Sequence, residues 1–149
     1  MDQLFVGTTE ELPQEVLEGM FRLRHKVFHE LLGWEVEVRE GQERDRFDAL
    51  ETHYIILHAP RQPMALGCWR LLPTTGPYML RDVFPQLLHG EAAPCSPQIW
   101  EISRFATYPM NWNARRDQAS FGAEALHAGS ISRVPADGWR SFLEQPCPD

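Results

Sequence analysis

With 149 residues, 43% of them hydrophobic and 23% charged, the chain has the composition of one folded domain with a real core and not of a disordered protein. Fourteen Lys and Arg against 21 Asp and Glu leave a net charge of −7, without the basic excess that a nucleic-acid binder usually carries. No apolar run approaches the length of a bilayer span, and the opening MDQLFVGTTEELP lacks the basic start and apolar centre of a signal peptide; a cytoplasmic protein is the expectation.

Gln3 to Val6 reads as a short strand, punctuated by Gly7-Thr8-Thr9. A helix follows. Glu10, Glu11 and Glu15 crowd its start, where negative charge suits the dipole, and Pro13 is tolerated in the first turn. Leu12, Val16, Met20, Leu23, Val27 and Leu31 recur at steps of three and four, and Gly33 ends the stripe. Arg24 and Phe28 share one face of this helix, as do His25 and His29. The HExxH pattern is absent and no third ligand is evident, so solvated histidines are expected there and no metal.

Trp34 to Asp48 is mostly charged and is most simply a surface loop, although loops of this length are often functional. Glu43, Asp45 and Asp48 alternate with Arg44 and Arg46, which by itself describes a solvated, self-neutralising stretch. His53 to Ala59 and Ala65 to Leu72 read as a hairpin around the turn Pro60 to Pro63. Alternation puts Leu66, Cys68, Arg70 and Leu72 on one side. Arg70 is either an edge residue reaching solvent along its stem or a buried, paired guanidinium.

Pro73 to Pro77 is a turn, and Tyr78 to Leu88 has helical spacing that Pro85 must break into two short turns or a kink. His89 to Pro97 is loop. In the strand Gln98 to Thr107, Trp100, Ile102, Arg104 and Ala106 take one side and Glu101, Ser103 and Phe105 the other. Glu101 and Arg104 then face apart unless a bulge re-aims one of them. The three cysteines, Cys68, Cys95 and Cys147, form no CxxC pair and read as reduced thiols with Cys68 buried. No GxGxxG, P-loop or GxSxG pattern occurs. Spacing alone thus gives an α/β domain with a charged loop and a buried Glu/Arg pair, and names no reaction.

The residues say more than their spacing. Arg24-x-x-Val27-Phe28, Leu32-Gly33-Trp34, Glu43-x-Asp45-x-Phe47-Asp48, Gly67-Cys68-x-Arg70-Leu71-Leu72-Pro73-Thr74-Thr75, Pro77-Tyr78-x-Leu80, Val83-Phe84 and Trp100-Glu101-x-Ser103-Arg104-Phe105-Ala106 follow one another as they do in the acyl-homoserine-lactone synthases, the autoinducer synthase family of bacterial quorum sensing, which this stretch closely resembles. The resemblance implies an α/β (α+β), GNAT-like acyltransferase fold, a mixed, splayed sheet with helices packed around it. It implies S-adenosylmethionine and an acyl thioester on acyl carrier protein as substrates, with no cofactor, no metal, no nucleic acid and no membrane. The amine of S-adenosylmethionine attacks the thioester carbonyl; the homoserine part then closes on itself and expels methylthioadenosine.

The resemblance also assigns roles. Phe28 and Trp34 offer aromatic faces to adenine and sulfonium. Arg24 and Arg104 hold carboxylates, either the substrate's or those of the charged loop. Asp45 and Asp48 hold the polar and cationic parts of S-adenosylmethionine. Glu101 removes the proton from the amine, directly or through water, with Asp45 and then Glu43 as further candidates. Arg70 braces the carboxylates, in a cluster with Phe84 and Ser103. Phe105 belongs to the substrate site, its neighbouring main-chain donors placed to polarise the thioester carbonyl.

After Thr107 the character changes. Residues 1–107 read as the N-terminal part of a synthase domain, and 108–149 as an atypical tail, loop or poorly ordered, with Phe121 to Leu126 as its one candidate helical turn. A truncated or frameshifted family member is the expectation, its C-terminal half missing. Two other readings stay open: a non-catalytic remnant, and a GNAT-like N-acyltransferase that uses acyl-coenzyme A.

Overall fold

A computed structural model describes residues 1–49 and 51–108. Four strands, β1 (Gln3–Thr8), β4 (His53–His58), β5 (Gly67–Pro73) and β6 (Trp100–Thr107), form one sheet in the order β1-β4-β5-β6. Every pairing in it is antiparallel, so the mixed sheet implied by the resemblance shows only antiparallel neighbours among the described residues. Two further strands, β2 (Val38–Arg39) and β3 (Gln42–Glu43), make a small ribbon. Its turn residues, Glu40 and Gly41, both have positive φ, 52° and 71°, as a two-residue hairpin turn of this hand requires.

Helix α1 (Gln14–Arg24) lies across one face of the sheet. Its apolar stripe, Val16, Leu17, Met20, Phe21 and Leu23, is buried against Tyr54 and Ile56 of β4, Cys68 of β5 and Ala106 of β6. The helix does not run on unchanged to Leu31 as its periodicity predicts. From His25 to Leu31 it widens to a π-helical turn, with Leu32 N–H donating to Val27 C=O at 3.0 Å, before Gly33 at φ 67° ends it. Such turns are rare and recur at functional sites; Phe28 is the buried residue of this one. The segment after Pro77 breaks where Pro85 requires, into α2 (Met79–Asp82) and a 3-10 turn, Pro85–Leu88.

Between β5 and β6 the register slips: Cys68 pairs with Ala106 but Arg70 with Ser103, so Arg104 and Phe105 together oppose Trp69. This is a bulge, and Arg104 takes its left-handed position with φ 51°. Strict alternation puts Arg104 on the face opposite Glu101; the bulge turns its side chain to the α1 side and sends Phe105 to the other. There Phe105 packs on Trp69 with ring centroids 5.6 Å apart, and is 52% exposed.

Cys68 is a free, buried thiol whose titration burial pushes up to about 12. Cys95, expected as a reduced thiol, is disulfide-bonded. Among the described residues no helix is long and apolar enough to cross a membrane. The expectations for the tail beyond Tyr108 lie outside the described residues.

Helix α1 comes close to its neighbours at Gly19, where an added Cβ would sit 2.9 Å from His58 Nε2 and 3.3 Å from the Ala65 nitrogen. His58 is itself buried, and the Ala65 nitrogen is main chain that cannot move as a side chain does. Gly19→Ala is therefore expected to destabilise the protein. The overpacking cost, about 1–3 kcal/mol, exceeds the roughly 1 kcal/mol that alanine gains over glycine in a helix. A denaturant melt checks this; a gain in stability would show that α1 shifts without cost.

Candidate active site

Three arginines reach one point from three elements. Arg24 ends α1, Arg70 lies in β5, and Arg104 occupies the bulge of β6. Three carboxylates meet them: Glu43 from β3, and Asp45 and Asp48 from the turn that follows it. That turn is wound on its own acids. Phe47 N–H donates to Asp45 Oδ1 at 2.9 Å, and Asp45 N–H to Asp48 Oδ2 at 2.8 Å. Phe47 is thereby buried against Leu72 and Tyr78. The solvated, self-neutralising loop that the charge pattern describes is thus corrected: Glu43 is fully buried, and the acids face inward to guanidinium groups from elsewhere in the chain.

Arg24 donates from Nε to Glu43 Oε2 at 2.5 Å and, in a bidentate pair, to Asp48 at 2.7 and 2.9 Å. Arg70 donates from Nη1 to Asp45 at 2.6 Å and to Asp48 at 3.2 Å, and from Nε to Ser103 Oγ at 3.0 Å. Arg104 closes the ring, bonding Glu43 Oε1 at 3.2 Å and Asp45 Oδ2 at 2.9 Å. Of the two readings open for Arg70, the structure has the buried, paired one.

Three cations and three anions balance, which is what allows them to leave water together. Burial opposes the charge on Arg24, but Asp48 and Glu43 more than offset it and its pKa is raised. Burial likewise opposes ionisation of Asp48; Arg24 and Arg70 outweigh it and hold that carboxyl down to about 2. Tyr54, buried and donating to Asp48 Oδ1 at 2.8 Å, is held protonated by its burial and by that anion.

Only one edge of the cluster meets solvent. The side chains of Arg24, Glu43, Asp48 and Arg70 are at most 3% exposed, whereas Asp45 is 17% and Arg104 11% exposed. Beside that edge, Phe28 and Trp34 stack with centroids 4.9 Å apart, and the Arg104 guanidinium lies 5.4 Å from the Phe28 ring centre. Trp34 is 47% exposed, an open aromatic face stacked on Phe28.

Not every expected site residue joins this cluster. Glu101 shares its side of β6 but spends both oxygens on the start of α2, accepting from Met79 N–H at 3.0 Å and Leu80 N–H at 2.7 Å. Glu43, with both oxygens held and no exposure, is placed for support and not for contact with a substrate. The Phe105 ring is carried by the bulge to the opposite face of the sheet. Phe84, 40% exposed between the two short helical turns, stands outside the ionic cluster. Two participants were not singled out in the sequence. Tyr54 is the direct strand partner of Arg70, and Met79 Sδ accepts from Arg70 Nη2 at 3.1 Å. The hairpin register holds the signal for Tyr54; nothing local marks Met79. Among the described residues no group of three or more His, Cys, Asp or Glu is placed to hold a metal ion.

Comparison with known proteins points to one family. The autoinducer synthase family profile matches residues 8–126. An acyl-homoserine-lactone synthase of Pseudomonas aeruginosa is 49% identical over 102 residues, 68% of this chain and 51% of that protein. One of Ralstonia nicotianae is 42% identical over 143 residues, 95% of this chain and 70% of that protein, so sequence likeness continues beyond Thr107. Among solved structures, the CoA-dependent acyl-homoserine lactone synthase BjaI, with SAM and isopentyl-CoA, superposes with a TM-score of 0.65 at 35% identity, covering 78% of this chain and 54% of that one. The fold is the GNAT-like α/β one that the resemblance implies. The chain spans about half the length of the first of these relatives.

The ionic cluster makes the fold acid-sensitive. Asp48 titrates at about 2 when folded, below its ordinary 3.8. Its contribution, about 2 kcal/mol, is therefore complete above pH 4 or so and is lost as the pH falls toward 2. Asp48→Asn is expected to lower stability near neutrality by about 3–5 kcal/mol, because Arg24 and Arg70 stay buried without it. It should also flatten the dependence across that acid window. Denaturant melts at several pH values check both, and an unchanged acid slope in the variant would assign the effect to other groups.

Proposed function

The chain belongs to the autoinducer synthase family, and from that premise we propose that it is an acyl-homoserine-lactone synthase, joining S-adenosylmethionine to an acyl thioester. The observation that carries the proposal is the half-open edge of the ionic cluster: Asp45 and Arg104, of opposite charge and 2.9 Å apart, flanked by the Phe28–Trp34 stack. S-adenosylmethionine has an amine, a carboxylate, a sulfonium and an adenine within one small molecule. The amine suits Asp45, the carboxylate suits Arg104, and the sulfonium and adenine suit the aromatic faces. Arg24, Glu43, Asp48, Arg70, Ser103 and Tyr54 hold those groups in place from within.

In the first step the amine nitrogen forms a bond to the thioester carbonyl carbon and loses a proton, and the thiol of the carrier leaves. An α-amino group titrates near pH 8, roughly, so a modest bias exposes its lone pair. Glu101 is the proposed acceptor of that proton, through a water that meets its remaining lone pairs; Asp45 is the second choice. In the second step a carboxylate oxygen forms a bond to the carbon next to the sulfonium, the carbon–sulfur bond breaks, and methylthioadenosine leaves with the lactone complete. The sulfonium is its own leaving group, so no cofactor is called for.

The acyl donor is proposed to be acyl carrier protein, as the resemblance implies. A second reading, acyl-coenzyme A, is favoured by BjaI, a solved relative described as CoA-dependent. Both donors and S-adenosylmethionine are made inside cells, which accords with a cytoplasmic location.

The chain, supplied with S-adenosylmethionine and acyl carrier protein loaded with acyl groups of varied length, is expected to release methylthioadenosine and lactone in equal amounts. Turnover with the matching acyl-coenzyme A should be slower, and the reverse order would select the second donor. No product from either donor at any chain length would overturn the proposed activity and leave the non-catalytic reading. Glu101→Gln is expected to lower turnover by about a hundredfold or more with a melting temperature close to the parent's. Parent-like rates would remove Glu101 from the mechanism, whereas a large melting shift would assign it to the fold alone, as the clamp on α2.

A further inference from the structure

One part of the arginine cluster is left with a weak partner. The guanidinium of Arg70 spends Nε on Ser103 and Nη1 on Asp45 and Asp48, but its Nη2, with two N–H groups, has only the thioether of Met79 at 3.1 Å. Arg104 repeats the pattern. Nε goes to Glu43 and Nη2 to Asp45, while Nη1 is left with the same sulfur at 3.9 Å. Two charged donors of opposite strands thus converge on one neutral, poor acceptor. Elsewhere in the cluster each guanidinium nitrogen bonds an anion or a hydroxyl. Arg70 is buried and cannot make up the difference with water, so a stronger acceptor in the place of Met79 would gain two charge-assisted hydrogen bonds at once.

Met79 is built to yield that place. It is partly exposed, its unbranched side chain has several rotamers, and it opens a helix of only four residues, α2. Its main chain, by contrast, is fixed, because Glu101 holds the N–H groups of Met79 and Leu80. The side chain, partly buried at the edge of the Phe47–Leu72–Tyr78 cluster, can change rotamer while its Cα stays put.

We propose that Met79 is a displaceable cover over a carboxylate-binding site formed by Arg70 Nη2 and Arg104 Nη1, and that the carboxylate of S-adenosylmethionine takes the position of its sulfur. This rests on the preceding reading of the substrate and adds to it: Arg70 becomes a substrate-contacting group as well as a brace, and Met79 a residue that sets affinity. The carboxylate is then drawn away from Asp45, which leaves Asp45 free for the amine.

The test compares S-adenosylmethionine with methylthioadenosine, which shares the adenine and sulfur but has no carboxylate. With methyl-labelled methionine, the Met79 resonance, assigned through Met79→Leu, is expected to shift with S-adenosylmethionine and to stay in place with methylthioadenosine. By calorimetry, Arg104→Lys, which keeps the charge but loses the second terminal nitrogen, should weaken S-adenosylmethionine about tenfold or more. Methylthioadenosine should change by no more than about twofold. A melting curve confirms that the variant is folded. A Met79 resonance that ignores S-adenosylmethionine, or equal losses for both ligands, would overturn the proposal while leaving the enzyme reading intact. If neither ligand binds, the enzyme reading falls, and acetate decides the site: it should move the Met79 resonance where chloride at equal concentration does not, and no movement refutes the carboxylate site as well.

Discussion

The burial of Arg24 is the constraint on which the rest of this structure depends. A guanidinium with no exposed surface sits at the C-terminal end of the helix that covers the sheet. An unpaired charge there would cost about 3–5 kcal/mol, a large share of the stability of a domain of this size. Asp48 and Glu43 must therefore be brought to it, and they come from a segment that has few other reasons to fold. The ribbon of β2 and β3, the positive φ of Glu40 and Gly41, and the turn wound on Asp45 and Asp48 all follow from delivering those acids.

Once delivered, the acids need further cations, and this links the cluster to β5 and β6. Arg70 and Arg104 supply them, and for Arg104 the fold accepts a left-handed backbone and a break in the ladder. Strain of this kind, of order 1–3 kcal/mol, survives where the surroundings over-determine it. Here two carboxylates and an aromatic ring fix the guanidinium. The same bulge frees Phe105 to join Trp69 on the far face, so a single extra residue gives both faces of the strand their character.

The structure also separates support from contact within one set of charges. Arg24, Glu43 and Asp48 were grouped with Asp45 and Arg104 in the sequence, because a family resemblance marks all of them alike. Depth distinguishes them. A residue with every polar atom matched and no exposed surface makes the site rigid; one at the rim, such as Asp45, has lone pairs to give to a ligand. Glu101 lies between these cases, with its carboxylate tied to α2 but its strand on the site face.

By itself the sequence determined the parts whose cause is local or carried in a motif. The apolar stripe of α1, the hairpin of β4 and β5, the break at Pro85 and the family to which the chain belongs were all legible, since periodicity, proline geometry and ordered motifs act within a few residues. It stated the bulge only as a condition, because Glu101 and Arg104 reach one face only if the ladder slips, and nothing in the residues of β6 says that it must. Tertiary structure decided that slip, the inward turn of the Glu43–Asp48 loop, the burial of Arg70, the departure of Phe105 and Phe84 from the cluster, and the meeting of Met79 with two arginines. The reason is that the cluster forms around whichever distant charges are available to compensate its buried groups, and partners 9 to 61 residues apart leave no pattern in the chain between them.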